Sequence, residues 1–310
     1  MAEAGDLLQF PFADLHPEKT RVIALPKRIW VFGGPCEDGG SESFPASLRD
    51  SFWSQTLNFF PSRPWFADLD RPENHRDWWE YSGYSDLLEF ERDAAYLARA
   101  VLIFAESPGS YAELGAFALD PILLERLHVV VSSRYLHQEK RNSFLMLGPI
   151  KRAKEAGGRC VIGGDADRQL VEDDFHTVID SIDDWLPKVP KKSAFDPSNP
   201  THRLLLISDL ADLLLVAKYS ELIKITAQFR IELSEAQIER AVKLLDFFGL
   251  VKLEERGSEP FVCRSIHTKS PWLDYVGTHA APFDRMRFKI QREQVVISDR
   301  RKASILRRRP

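Results

Sequence analysis

Val101-Leu-Ile-Phe-Ala-Glu-Ser-Pro-Gly-Ser-Tyr-Ala-Glu-Leu-Gly-Ala-Phe117 is the stretch that decides how this chain reads. Residues 100–105 are apolar without a break, as strands covered on both faces are. The run ends at Glu106, and Pro108-Gly109 turns the chain. Ser110 is placed to cap a helix from Tyr111 to about Leu119, with Glu113 in its first turn. In open α/β sheets, ligands gather beyond the carboxyl ends of the strands. Helix N-termini there attract anions through free backbone N–H groups. Ser107, Gly109 and Ser110 are therefore expected to line a substrate, and Glu106 and Glu113 to flank one edge of the crevice. Gly33 and Gly34 follow the apolar run Arg28-Ile-Trp-Val-Phe32 and form a second edge, where missing side chains permit close approach. Ser110-x-x-Glu113 also fits a capping box, which needs no function. From spacing alone the two readings carry equal weight.

Working outward, Arg28–Phe32, Leu127–Val131 and Arg159–Ile162 read as further strands. Leu48–Phe60, Asp86–Arg99 and Asp174–Leu186 read as helices between and after them. This alternation predicts a Rossmann-like α/β domain with a parallel sheet over residues 27–187, behind an irregular leader at 1–26. Residues 188–200 are rich in proline and lysine and read as a linker. Residues 201–265 then give helices at Leu204–Lys218 and Tyr219–Phe229. A third opens at the capping box Ser234-Glu-Ala-Gln237 and ends at Gly249. Apolar runs at Leu250–Leu253 and Phe261–Arg264 flank a turn, so this segment reads as a winged helix-turn-helix. Residues 266–310 form a basic tail.

The 310 residues suit about two domains at roughly 100–200 residues each. A hydrophobic content of 44% is enough for real cores. Net charge is −4, so overall charge selects no nucleic-acid or membrane partner. Its distribution is uneven. Residues 284–310 hold ten Lys and Arg against three Asp and Glu, a local +7 that leaves −11 for the rest. Arg300, Arg301 and Lys302 in that tail are candidates for neutralising phosphates. The helix opened by Ser234 exposes Glu235, Glu239, Arg240, Lys243 and Asp246, a mixture poorly suited to a phosphate backbone. The three cysteines are far apart, without a CxxC or Cys/His cluster, so neither a disulfide framework nor a metal site is indicated. The N-terminus lacks the pattern of a signal peptide. The most apolar stretch, Leu204–Ala217, is interrupted by Asp209 and Asp212, which argues against a membrane span. A cytoplasmic protein is expected.

Three other groups have a plain reading beside a functional one. Trp65, Trp78 and Trp79 are candidates for stacking on a base, though buried aromatics are more often core. Asp68, Glu91 and Asp93 are candidates for adding acidity to the site, with a solvated helix face as the plainer reading. Arg141 and Arg152 flank Gly148-Pro149 and could meet a phosphate or simply water.

Ser110-x-x-Glu113-Leu-Gly115 resembles the G-[TS]-x-x-E-[LI]-G signature of nucleoside 2-deoxyribosyltransferases. The resemblance implies that Glu113 is the nucleophile attacking the anomeric carbon. Glu106 stands where those enzymes usually carry an aspartate. Phe104–Phe117, Ser143–Arg152, Arg287–Ile290 and Arg300–Lys302, with the domain order, resemble retron effector proteins of the deoxyribosyltransferase-like type. That resemblance implies an N-glycosidase toxin of antiphage defence, held by a reverse transcriptase and its multicopy DNA–RNA hybrid. It implies NAD as substrate, with no cofactor, and leaves homo-oligomers open. A carboxylate nucleophile would form a glycosyl ester that water resolves. Nicotinamide leaves NAD without needing a proton, and the lack of an acidic His near the motif favours NAD. A nucleobase leaving as an anion would need a donor, and Glu106 is the nearest candidate. Two alternatives stand beside this reading. One is a deoxyribosyltransferase or nucleoside hydrolase of salvage metabolism. The other is a nucleotide-sensing regulator without turnover.

Overall fold

The computed structural model describes residues 15–36, 44–58, 63–75, 83–137, 140, 142–163, 169–257, 259–266, 271–277 and 283–308. The chain divides into two compact units, one of residues 26–81 and 86–190, the other of residues 1–25, 82–85 and 191–310. The chain enters through β1 (Arg21–Val22), which belongs to the latter unit.

The unit of residues 26–190 is built on β2 (Ile29–Phe32) and α1 (Leu48–Asn58), then β3 (Leu69–Asp70), α2 (Leu87–Tyr96) and β4 (Ala100–Phe104). There follow α3 (Pro108–Leu119), α4 (Pro121–Leu124), β5 (Leu127–Ser132), α5 (Phe144–Leu147), α6 (Pro149–Glu155), β6 (Arg159–Ile162) and α7 (Glu172–Trp185). The sheet is parallel throughout, in the order β3-β2-β4-β5-β6. The expected strands are all present. Every residue of β2, β4 and β5 is buried, because helices cover both faces. Alternate residues serve opposite layers. Ile29, Val31, Leu102 and Phe104 join Phe52 of α1 and Phe175, Val178 and Ile182 of α7 in one core. On the other face, Trp30 donates its indole N–H to Ala94 O of α2 at 3.2 Å. Phe32 there meets Phe117 of α3 edge-on, 5.4 Å between centroids. The strand order reverses between β2 and β4. That is a topological switch point, whose carboxyl-end crevice is the usual ligand site of such sheets.

The second unit contains β7 (Ser193–Ala194), α8 (Pro200–Leu214), β8 (Val216–Ala217), α9 (Tyr219–Gln228), α10 (Glu235–Phe247), β9 (Val251–Arg256), β10 (Glu259–Arg264) and β11 (Leu273–Asp274). It ends in α11 (Arg285–Ser298) and α12 (Arg300–Leu306). The Ser234 capping box opens α10 as expected, with Gln237 as its partner. Gly249, at φ +68°, closes the helix, a left-handed position that glycine takes without Cβ strain. β9 and β10 form a hairpin, and β8 adds to β10 on its other side. A second small sheet runs β11-β1-β7. Its strands come from the segments read as leader, linker and tail, so these are structured in part rather than irregular. Asp209 and Asp212 of α8 are buried, and their charges are answered. Asp209 accepts from Trp272 N, the Tyr275 hydroxyl and Arg285, while Asp212 pairs with Lys289 at 2.7 Å and with Arg285 at 3.2 Å. Among the described residues, no helix is long and apolar enough to cross a membrane.

Candidate active site

The crevice at the switch point is closed by Glu106, the first polar residue after β4. One of its oxygens accepts from Gly34 N at 2.8 Å and Arg49 N at 3.1 Å, and the other from Leu48 N at 2.7 Å. The carboxylate therefore caps the first turn of α1, where unpaired N–H groups and the helix dipole both favour an anion. With both oxygens engaged by backbone donors, Glu106 ties the loop after β2 to the end of β4. It is not arranged as a proton donor, as the sequence suggested it could be. Gly33 and Gly34 serve the same closure. A Cβ on Gly33 would lie 2.7 Å from Arg49 Cβ, and one on Gly34 2.6 Å from Ser47 Cβ. Their missing side chains make room for the protein's own groups.

The loop before α3 is also more self-contained than expected. Ser107, not Ser110, is the N-cap, and Ser110 is the third helical residue, completing a capping box with it. The Ser107 hydroxyl meets Gly33 O at 3.2 Å, and the Ser110 hydroxyl donates to Ser107 O at 2.9 Å. Ser110 is fully buried. Both hydroxyls are thus spent on the loop. Because the helix begins at Pro108, Glu113 sits in its second turn, past the capped end.

Glu113 lies in an acidic cluster organised by one arginine. Arg49 is 3% exposed and anchored by its own donors, Nε to Gly34 O at 2.7 Å and Nη1 to Val31 O at 3.2 Å. Its guanidinium also forks onto Glu73. Glu113 Oε2 is buried and makes no hydrogen bond with the described residues. Burial pushes the Glu113 carboxyl up to about 7, against the pull of Arg49 and with the repulsion of Glu73. Glu91, on α2, is only 8% exposed. Burial and the charges of Glu113 and Glu73 push it up to about 8. The sequence offered Glu91 as added acidity for the site, with a solvated helix face as the plainer reading. In the fold it points inward beside Glu113. Arg49 and Glu73 escaped the sequence reading altogether, since neither stands in a recognisable motif. A carboxylate with one oxygen free of hydrogen bonds, near a fixed guanidinium and a second carboxyl group pushed toward its neutral form, is equipped to attack an electron-poor carbon.

The remaining candidates fall elsewhere. Trp65 packs in the core, with its indole N–H on Asp183 at 2.7 Å, while Trp78, Trp79 and Arg141 lie outside the described residues. Asp68 feels Lys27 and Arg99, and Asp93 pairs with Arg92. Arg152 reaches Ala118 O. A 410 Å³ cavity lined by Tyr111, Gly115, Tyr135, Lys140, Ser143 and Phe144 borders α3. Residues 111 and 115 lie on the opposite side of that helix from residue 113, so this cavity is not the Glu113 site. Among the described residues, no group of three His, Cys, Asp or Glu is set to hold a metal ion. In the second unit, Lys302 is 5% exposed and bound to Glu221 at 2.5 Å. It cannot meet a phosphate without breaking that pair. Arg301 is exposed and pairs with Glu259 at 2.8 Å. Arg300 is exposed.

Fold and sequence together define a parallel-sheet α/β unit, with a carboxylate cluster at its switch point, joined to a smaller unit of helices and antiparallel strands. The chain belongs to the STM3845 retron effector protein family, which matches residues 45–253. That span includes Arg49, Glu73, Glu91, Glu106 and Glu113. Two Escherichia coli proteins are similar to it, both with names that propose ribosyltransferase and DNA-binding roles. The retron Ec73 protein is 30% identical over 140 residues, which is 43% of this chain and 41% of that protein. The retron Ec86 protein is 28% identical over 113 residues, 36% of this chain and 35% of that protein. The chain thus spans about two fifths or less of the length of these relatives.

Proposed function

We propose that this retron effector cleaves N-glycosidic bonds of nucleotides, with Glu113 as nucleophile and NAD as the leading substrate. The observation that carries the reading is the buried, unpaired Oε2 of Glu113 beside the anchored Arg49. The carboxylate attacks the anomeric carbon as the C–N bond breaks, forming a glycosyl ester. From NAD, nicotinamide departs as a neutral molecule. Water then opens the ester, and the carboxylate is restored. The ribosyltransferase description of the two retron relatives supports a glycosyl transfer of this kind.

The second unit we read as a winged helix, from the order α8-β8-α9-α10 followed by the β9–β10 hairpin. As a retron effector, the protein would be restrained by a reverse transcriptase and its multicopy DNA–RNA hybrid. The DNA-binding description of the relatives supports a nucleic-acid partner of that sort. The test of the catalytic reading is direct. Purified protein is incubated with NAD and a panel of nucleosides, and the products are separated by chromatography. Free nicotinamide or free nucleobase from the wild type, absent with Glu113→Gln, is the expected result. Equal release by the variant removes Glu113 from the reaction.

A further inference from the structure

We propose that Glu91 is the acid–base residue of this site, giving its proton to a departing nucleobase and later taking one from the water that opens the Glu113 ester. The inference rests on the N-glycosidase reading above. Its basis is placement. Glu91 sits on α2, more than nine-tenths buried, beside a Glu113 whose Oε2 is buried without a hydrogen bond to the described residues. The charged groups that face it are Glu113 from α3, Glu73 from the turn after β3, and Arg49 from α1. A carboxylate so nearly buried beside two others costs stability when it is charged. A proton held on Glu91 relieves that cost and gives the site its donor.

The two carboxyls are coupled in a way that fits a two-step reaction. While Glu113 is an anion, its field keeps the proton on Glu91. When Glu113 bonds to the anomeric carbon, its charge is gone and Glu91 ionises more readily. For a neutral nucleoside, the C–N bond breaks and the electron pair goes to the base nitrogen, which takes the Glu91 proton. Water then attacks the anomeric carbon, Glu91 accepts one of its protons, and the C–O bond to Glu113 breaks. Both residues return to their starting forms, with water consumed and base plus sugar released. For NAD, the pyridinium leaves without a proton, and Glu91 loses its own to solvent before serving the second step. Glu91 is therefore needed for both steps with a nucleoside but only for the second with NAD.

That difference is the test. Wild type, Glu91→Gln and Glu113→Gln are compared on NAD and on adenosine, with intact-mass analysis and with sodium azide added. Glu91→Gln should lose turnover roughly 10²–10⁴-fold on both substrates. With NAD it should also accumulate an ADP-ribosyl adduct that peptide mapping places on Glu113, and azide should restore turnover as the ribosyl azide. A folded Glu91→Gln that turns over like wild type overturns the role of Glu91 and leaves Glu113 standing. Loss of turnover with neither adduct nor azide rescue makes Glu91 structural and overturns it as well. A wild type inert on both substrates overturns the N-glycosidase reading, and this inference with it.

Discussion

The proposed chemistry needs Glu113 ionised and Glu91 protonated, and their surroundings push both carboxyl groups toward neutral pH. Glu113 attacks only when ionised, so kcat/KM should climb as pH rises through about 7. Glu91 donates only when protonated, so the rate on a nucleoside should fall as pH rises through about 8. A narrow bell between these values is expected from a pH–rate series, and a flat profile from pH 6 to 9 would remove both assignments. Stability should move with the same groups. Glu91 has a folded pKa near 8 against an unfolded value near 4.5. It binds its proton more tightly in the folded state, so its contribution is full below about 4.5 and is lost as pH rises through about 8. At about 1.4 kcal/mol per unit, ionising it in place costs on the order of a few kcal/mol. Glu91→Gln should therefore melt higher than wild type at pH 9, with the gap closing toward pH 5. A thermal-unfolding series across that range checks it. Glu113→Gln should keep the fold, since its side chain caps nothing, and lose turnover by several orders of magnitude.

At the scale of elements, the junction of β2, α1 and β4 is the part that holds the site still. Glu106 accepts three backbone N–H groups there, and Arg49 returns two donors to the carbonyls of Gly34 and Val31. Glu106→Gln would set an amide N–H group against a backbone donor. A loss of about 2 kcal/mol is expected, read as a lower melting temperature. If the alkaline limb near pH 8 survives in this variant and vanishes in Glu91→Gln, the donor is Glu91. Gly34→Ala should destabilise for the same reason, because its Cβ would meet Ser47. The strands of this unit were legible because buried parallel strands are written as unbroken apolar runs, as at residues 100–105. The α10 helix was legible from its Ser234 capping box. β3, β1, β7 and β11 were not, since two-residue strands have no periodicity and are made by partners distant in sequence. Glu113 could be found from its motif. Glu91 could be named only as one of three acidic candidates, because helical spacing separates the two faces of α2 without saying which carboxylate the next helix covers.

For the whole molecule, the uneven charge has a structural side that the sequence did not show. Five of the nine basic residues of 284–308 are paired inside their own unit. Arg285 and Lys289 answer Asp209 and Asp212, Arg292 and Lys302 answer Glu221, and Arg301 answers Glu259. The +7 of this segment is therefore in good part the counter-charge of acidic residues on α8 and α9, some 70–80 residues earlier in the chain. That pairing was invisible in sequence, where only the local run of cations can be counted. It also separates two expectations that a block of alanines would merge. Lys302→Ala removes one of the two cations on a buried glutamate, and breaking such a pair costs about 3 kcal/mol. At about 2–4 °C per kcal/mol for a unit of this size, its melting temperature should fall by roughly 6–12 °C. Arg300→Ala with Arg301→Ala should leave stability nearly unchanged, since both side chains are exposed. If this end of the protein meets nucleic acid, those two arginines are able to reach phosphate, as are the exposed Arg287, Arg307 and Arg308. Each phosphate no longer neutralised flattens the log–log salt dependence of binding by just under one unit, so the double variant should lose up to about 2 units. Anisotropy titrations of a labelled DNA duplex over a salt series, run on wild type, the double variant and Lys302→Ala, separate the cases. A slope unchanged in the double variant means that Arg300 and Arg301 do not touch nucleic acid. A slope that falls in Lys302→Ala, with its melting temperature intact, means that Lys302 leaves Glu221 to do so.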